Sequence, residues 1–104
     1  MATGRRRVVW TRRALDAVDE IAEFVATDST AAAARLVDAF VEAAGTLDTL
    51  TERGRIVPEF DDASIREIFV HDFRVIYRLK ARYVEVLTVV HGARDFGCWR
   101  VDRG

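Results

Sequence analysis

This 104-residue chain has one cysteine, one proline and one lysine, and each shortage closes off a class of explanation. Cys98 has no second cysteine with which to close an internal disulfide, and no Cys/His spacing resembles a zinc site, so stability has to come from packing or from a partner. Pro58 stands with the acidic pair Asp61-Asp62 in the segment Arg55 to Ser64, which reads as a connecting loop. With Lys80 the sole lysine, a net charge of −1 and an isoelectric point near 6.1, the protein offers little general attraction to nucleic-acid phosphates. No stretch approaches the roughly 20 consecutive apolar residues that cross a bilayer. Arg5-Arg6-Arg7 is followed by only Val8-Val9-Trp10 before Thr11-Arg12-Arg13, which does not read as a secretory leader. The expectation is a cytoplasmic protein without membrane contact, metal or cofactor.

Half of the composition is apolar, which suits one compact domain with a modest core and is too little for two. One domain over residues 1–104 is expected, with its core in 8–96 and a tail at 97–104. Charge is distributed unevenly. Between Ala14 and Glu52 nine acidic residues face one basic residue, Arg35, a local charge of −8, whereas residues 1–13 carry +5 and residues 53–104 carry +2. An acidic middle with basic ends steers an oppositely charged partner to one side of the molecule.

Arg7-Val8-Val9-Trp10 reads as a short strand. Thr11 then caps a helix in which Ala14, Val18, Ile21 and Val25 recur on one face. Asp28-Ser29-Thr30 breaks and recaps the chain, and Leu36, Phe40, Ala44, Leu47 and Leu50 form a second apolar stripe ending near Gly54. Gly45 lies inside that stripe at about 1 kcal/mol relative to alanine, which marks it as a close helix contact. Ile65 to Val70, Phe73 to Leu79 and Tyr83 to Val90 are strands joined by turns at His71-Asp72 and Lys80 to Arg82. The expected fold is α+β: a strand, an antiparallel helical hairpin, then a three-stranded antiparallel meander, with the helices packed on one sheet face.

The last third carries the chemistry. Phe73-Arg74-Val75-Ile76-Tyr77-Arg78 alternates arginine with apolar residues at the two-residue period of a strand, and the next strand delivers His91 and Arg94 where it ends. A two-residue turn at Ala81-Arg82 sets Arg78 opposite Glu85. Phe73, Val75, Tyr77 and Leu79 then share the helix-covered face with Val84, Val86, Thr88 and Val90. Arg74, Ile76, Arg78, Leu87, Val89 and His91 fall on the other face, and a register change of one residue moves His91 across. On such an exposed face Arg74→Ala leaves stability nearly unchanged. Two readings of Arg66, Arg74 and Arg78 stand: a binding surface, or a solubilised sheet face on which Arg78 pairs with Glu85.

The order of these elements, the segment Arg66-Glu67-Ile68, the run Phe73 to Arg78 and the ending Val89-Val90-His91-Gly92-Ala93-Arg94-Asp95 together resemble the RelE/ParE superfamily of bacterial type II toxins. The likeness covers about residues 8–96, and its His-Gly-Ala-Arg-Asp ending is more similar to ParE-like members than to the ribosome-dependent RelE nucleases. The chain departs from the family pattern in the turn at Lys80 to Arg82, in the acidic loop around Pro58 and in the tail, where Trp99 is expected to be buried.

The resemblance implies a toxin neutralised by a cognate, ParD-like antitoxin, assembled as a homodimer or as a heterotetramer with that antitoxin. ParE-like members poison DNA gyrase, whereas RelE-like members cut messenger RNA on the ribosome, and fold alone does not choose between them. A nuclease would need His91 as acid, Glu85 or Glu67 as base, and Arg74, Arg78 and Arg94 to stabilise the phosphorane charge. The single lysine and low isoelectric point weigh against that chemistry. The favoured reading is therefore a gyrase-directed inhibitor that acts by binding, with Arg66, Arg74, Arg78, His91 and Arg94 contacting target or antitoxin. The alternatives are the ribosome-dependent endonuclease and a non-toxic, antitoxin-binding relative.

Overall fold

A computed structural model of the protein describes residues 5–92; Arg94, Cys98 and Trp99, with the expectations attached to them, lie outside the described residues. The elements run β1 (Arg7–Trp10), α1 (Arg12–Ala26), α2 (Thr30–Gly45), a 3-10 turn at Thr46–Asp48, β2 (Arg55–Ile56), β3 (Ile65–Val70), β4 (Phe73–Leu79) and β5 (Tyr83–His91). The five strands form one sheet in the order β1-β5-β4-β3-β2, with β1 parallel to β5 and every other pairing antiparallel. Helix–hairpin–meander was legible. β2, two residues inside the expected Pro58 loop, was not, because a strand that short has no period to read.

Both helix starts follow from their caps. The Thr11 hydroxyl accepts from Ala14 N and donates toward the Val86 and Leu87 carbonyls, so one side chain starts α1 and ties it to the middle of β1's partner strand. Ser29 caps α2 in the same way through Ala32 N. Ala14, Val18, Phe40, Ala44 and Leu47 pack with Ile68, Val70, Val75, Tyr77, Val84, Val86 and Val89 in the main core, on what we call the inner face of the sheet. Leu50 departs from the expected stripe and is 57 % exposed, because the helix ends at Gly45 and tightens into the 3-10 turn. Gly45 is no close contact either: a Cβ there would meet nothing within 4 Å. The tight glycine is Gly54, where a Cβ would fall 2.6 Å from the Glu67 carbonyl and the Tyr77 hydroxyl. That hydroxyl accepts from Gly54 N and donates to the Thr51 carbonyl, and burial raises its pKa.

The hairpin register agrees with the two-residue turn as far as Leu79 opposite Val84, Arg78 opposite Glu85 and Tyr77 opposite Val86. The next pair is Ile76 with Thr88, so Leu87 is an extra residue and the strand carries a β-bulge. Beyond it every β5 side chain changes face. Val89 and His91 stand with Val75 and Phe73 on the inner face, while Thr88 and Val90 stand with Ile76 and Arg74 on the outer one. No hydrophobic alternation reveals a bulge in a strand that is apolar at Val86, Leu87, Val89 and Val90.

Candidate functional site

Register sets the outer face out in rows. Phe69, Arg74 and Val90 form one row, Arg55, Glu67, Ile76 and Thr88 the next, and Ile65, Arg78, Glu85 and Val9 the third. Arg74 is not an exposed cation: its side chain is 4 % exposed. It donates from Nε to Glu67, whose side chain is fully buried, and from both terminal nitrogens to the two Glu59 oxygens at 3.1 and 2.9 Å. Glu67 also accepts from Arg55, which sits over the Phe69 ring 5.4 Å from its centroid. Arg78 lies 3.9 Å from Glu85. The bidentate bonds from Arg74 hold the Glu59 carboxyl below its ordinary pKa, and the same bonds raise that of Arg74.

Glu59 arrives on the loop that Pro58 marks. Val57 and Phe60 from this loop pack against Ile65, Ile76, Leu87 and Val90, giving the outer face a second, smaller core. The burial of Arg74 follows from this cover, and it corrects the expectation of a bare cationic ribbon. Sequence reading noticed that the loop was acidic but not that a sheet arginine waited beneath it. An acidic residue beside the only proline, with an arginine in the middle of a mostly apolar strand, was the available signal.

The remaining candidates do not join this group. Arg66 is on the inner face at the β3 edge, donating to the Glu52 and Gly54 carbonyls. His91 is also on the inner face, its ring edge-on to Phe73 at 5.6 Å. His91 therefore lies on the other side of the sheet from Arg74, Glu67 and Glu85, so among the described residues the acid, base and cation candidates for RNA cleavage do not share one face.

His91 instead borders a cleft of about 640 Å3 between α1 and β5, lined by Arg12, Arg13, Asp16, Glu20, Phe73 and Val89 among others. The cleft exists because β1 pairs only with Tyr83 to Val86. β5 continues to His91 with no strand on that side among the described residues, and α1 turns away above it. Of the α1 residues in the cleft, Ile21 belongs to the apolar stripe read from the sequence, whereas Arg12, Arg13, Asp16 and Glu20 were not among the candidate site residues.

Comparison with known proteins adds three findings. A family model described as the ParE toxin of the type II toxin-antitoxin system parDE matches residues 8–96. A Sinorhizobium fredii protein named "Putative toxin Y4kP" is 38 % identical over 97 residues, covering 88 % of this chain and 94 % of the relative. A solved structure titled "Chromosomal ParDE TA system from P. aeruginosa" contains a chain that superposes with a TM-score of 0.71 at 21 % identity, covering 86 % of this chain and 98 % of that one. At that identity the last likeness speaks to the fold, and it is the same α+β arrangement.

Proposed function

We propose that this chain, which belongs to the ParE toxin family of type II toxin-antitoxin systems, stops growth by binding DNA gyrase rather than by cutting RNA, and that a cognate antitoxin holds it inactive. The observation that supports binding over cleavage is the neutralisation of the outer face. Arg55, Arg74 and Arg78 meet Glu59, Glu67 and Glu85, three cations against three anions, so this group has no surplus charge with which to displace counterions from RNA. Glu67 and Glu85, the bases that cleavage would need, lie on the opposite sheet face from His91.

For the antitoxin we propose the cleft between α1 and the uncovered length of β5. An extended segment laid there gains main-chain hydrogen bonds from the strand edge and packs on Phe73 and Val89 between the charged rims of Arg12, Arg13, Asp16 and Glu20. His91 and Arg13 then act as contacts rather than as catalysts. Ala17→Arg, which fills the cleft, should weaken antitoxin binding at least tenfold while leaving the circular dichroism spectrum unchanged.

Expression without antitoxin tests the assignment. Filamentation with a DNA-damage response is the expected outcome. Rapid translation arrest with cuts at fixed codon positions would make the protein a nuclease, and normal growth would make it a non-toxic relative.

A further inference from the structure

The loop over the outer face is attached in an unusual way. Its base is tied to β3 by main-chain bonds, Val57 N to the Ile65 carbonyl and Ile65 N to the Asp62 carbonyl, and it folds on itself through Phe60 N to the Val57 carbonyl. Among the described residues, no main-chain bond joins 58–62 to β4 or β5. Between its tied ends the loop rests on the sheet through Phe60 on the small apolar core and Glu59 on Arg74.

What lies under it is already organised without it. Glu67, fully buried, fixes the Arg74 Nε and is itself fixed by Arg55. Nη2 of Arg74 is held by Glu67 as well, and both terminal nitrogens bond the Glu59 carboxylate, a bidentate arrangement in which a planar guanidinium binds selectively. Arg55, Arg74, Glu59 and Glu67 sum to zero charge; with Glu59 gone the group is +1 on a floor of Ile76, Leu87 and Val90. The apolar surface continues to Phe69, 54 % exposed, on one flank and to Val9, 37 % exposed, on the other.

We propose that residues 58–62 are a displaceable strap, and that Glu59 occupies the seat that an aspartate or glutamate of a partner protein, flanked by aliphatic residues, takes when the strap lifts. The surface lies on the opposite sheet face from the α1–β5 cleft and shares Val90 with its lining; the proposal rests only on the reading that the chain acts by binding a protein. Occupation of the cleft by an antitoxin leaves it free, so it is a place for a second protein.

Two measurements on the full chain test this. Methyl relaxation dispersion on the wild type and on Glu59→Gln should show a minor state at Ile65, Ile76, Leu87 and Val90. Its population should rise at least fivefold in the variant, with Val75 and Val86 on the inner face silent. No minor state in Glu59→Gln, or one shared by inner and outer methyls, overturns the proposal. In the second, the peptide acetyl-Ala-Leu-Glu-Leu-Ala-amide should shift the amides of Arg74 and Ile76 in Glu59→Gln at least tenfold more tightly than in the wild type, and its glutamine counterpart should not. Equal binding to both proteins, shifts confined to another surface, or binding of inorganic phosphate in place of the peptide would each refute a seat built for a protein carboxylate.

Discussion

Replacing Arg74 with alanine measures whether the outer face is a structural network or an exposed cationic surface. The guanidinium is 4 % exposed and bonds Glu59 and Glu67. Its loss leaves the buried Glu67 carboxylate with Arg55 alone, a side chain 59 % exposed. Removing one member of a buried ion pair costs about 3–5 kcal/mol, most of it the penalty of the charge left behind. In a domain of this size each kcal/mol lowers Tm by about 4–8 °C, so Arg74→Ala should melt at least about 12 °C below the wild type. Arg74→Met should be nearly as damaging, because it restores the stem but not the charge, whereas adding Glu67→Met and Glu59→Gln to it should recover most of the loss. Thermal and urea unfolding followed by circular dichroism supply the numbers. A single Arg74→Ala variant within about 1 kcal/mol of the wild type would refute the burial argument and restore the exposed cationic face.

The two contrasted glycines should respond in opposite directions: Gly45→Ala should add about 0.5–1 kcal/mol, since the site is helical with open space around it, and Gly54→Ala should lose about 2 kcal/mol or more by pressing on Tyr77 and the Glu67 carbonyl; both are read from urea midpoints. Acid should loosen the strap. Glu59 has a folded pKa below its ordinary value, so its contribution is complete above about pH 4.3 and disappears as pH falls through the lower folded value; Glu59→Gln should therefore show a shallower stability decline than the wild type below pH 4.3. At the β3–β4 turn His71 has φ of +53°, so His71→Val, β-branched, should cost about 1 kcal/mol or more at an exposed position, and His71→Gly should not. Thermal melts of the pair check this, and equal Tm values would contradict it.

The elements that sequence revealed are those with a period or a cap. Thr11 and Ser29 announce their helices by residue type, and the alternation from Phe73 to Arg78 fixes β4 and its faces. The pairing of Arg78 with Glu85 needed only the length of the turn. What stayed hidden has no local signal. Leu87 is one apolar residue among several, so the bulge that sends His91 to the inner face leaves no mark in composition. β2 is too short to show alternation. Above all, Arg74 reads as a surface residue because its covering carboxylate is fifteen residues away in sequence, inside a loop with no periodicity. Candidate sites drawn from the strands of the last third therefore missed both what the fold places on top of β4 and the cleft that α1 makes beside β5.

Gyrase binding is the activity proposed for this ParE-family protein. A supercoiling assay with purified gyrase, relaxed plasmid and the purified protein tests it directly, with antitoxin added in a parallel series. The protein should block supercoiling or trap cleaved plasmid, stoichiometric antitoxin should reverse this, and messenger RNA on translating ribosomes should stay intact at the same concentration. Unimpaired supercoiling together with cut messenger RNA would contradict it.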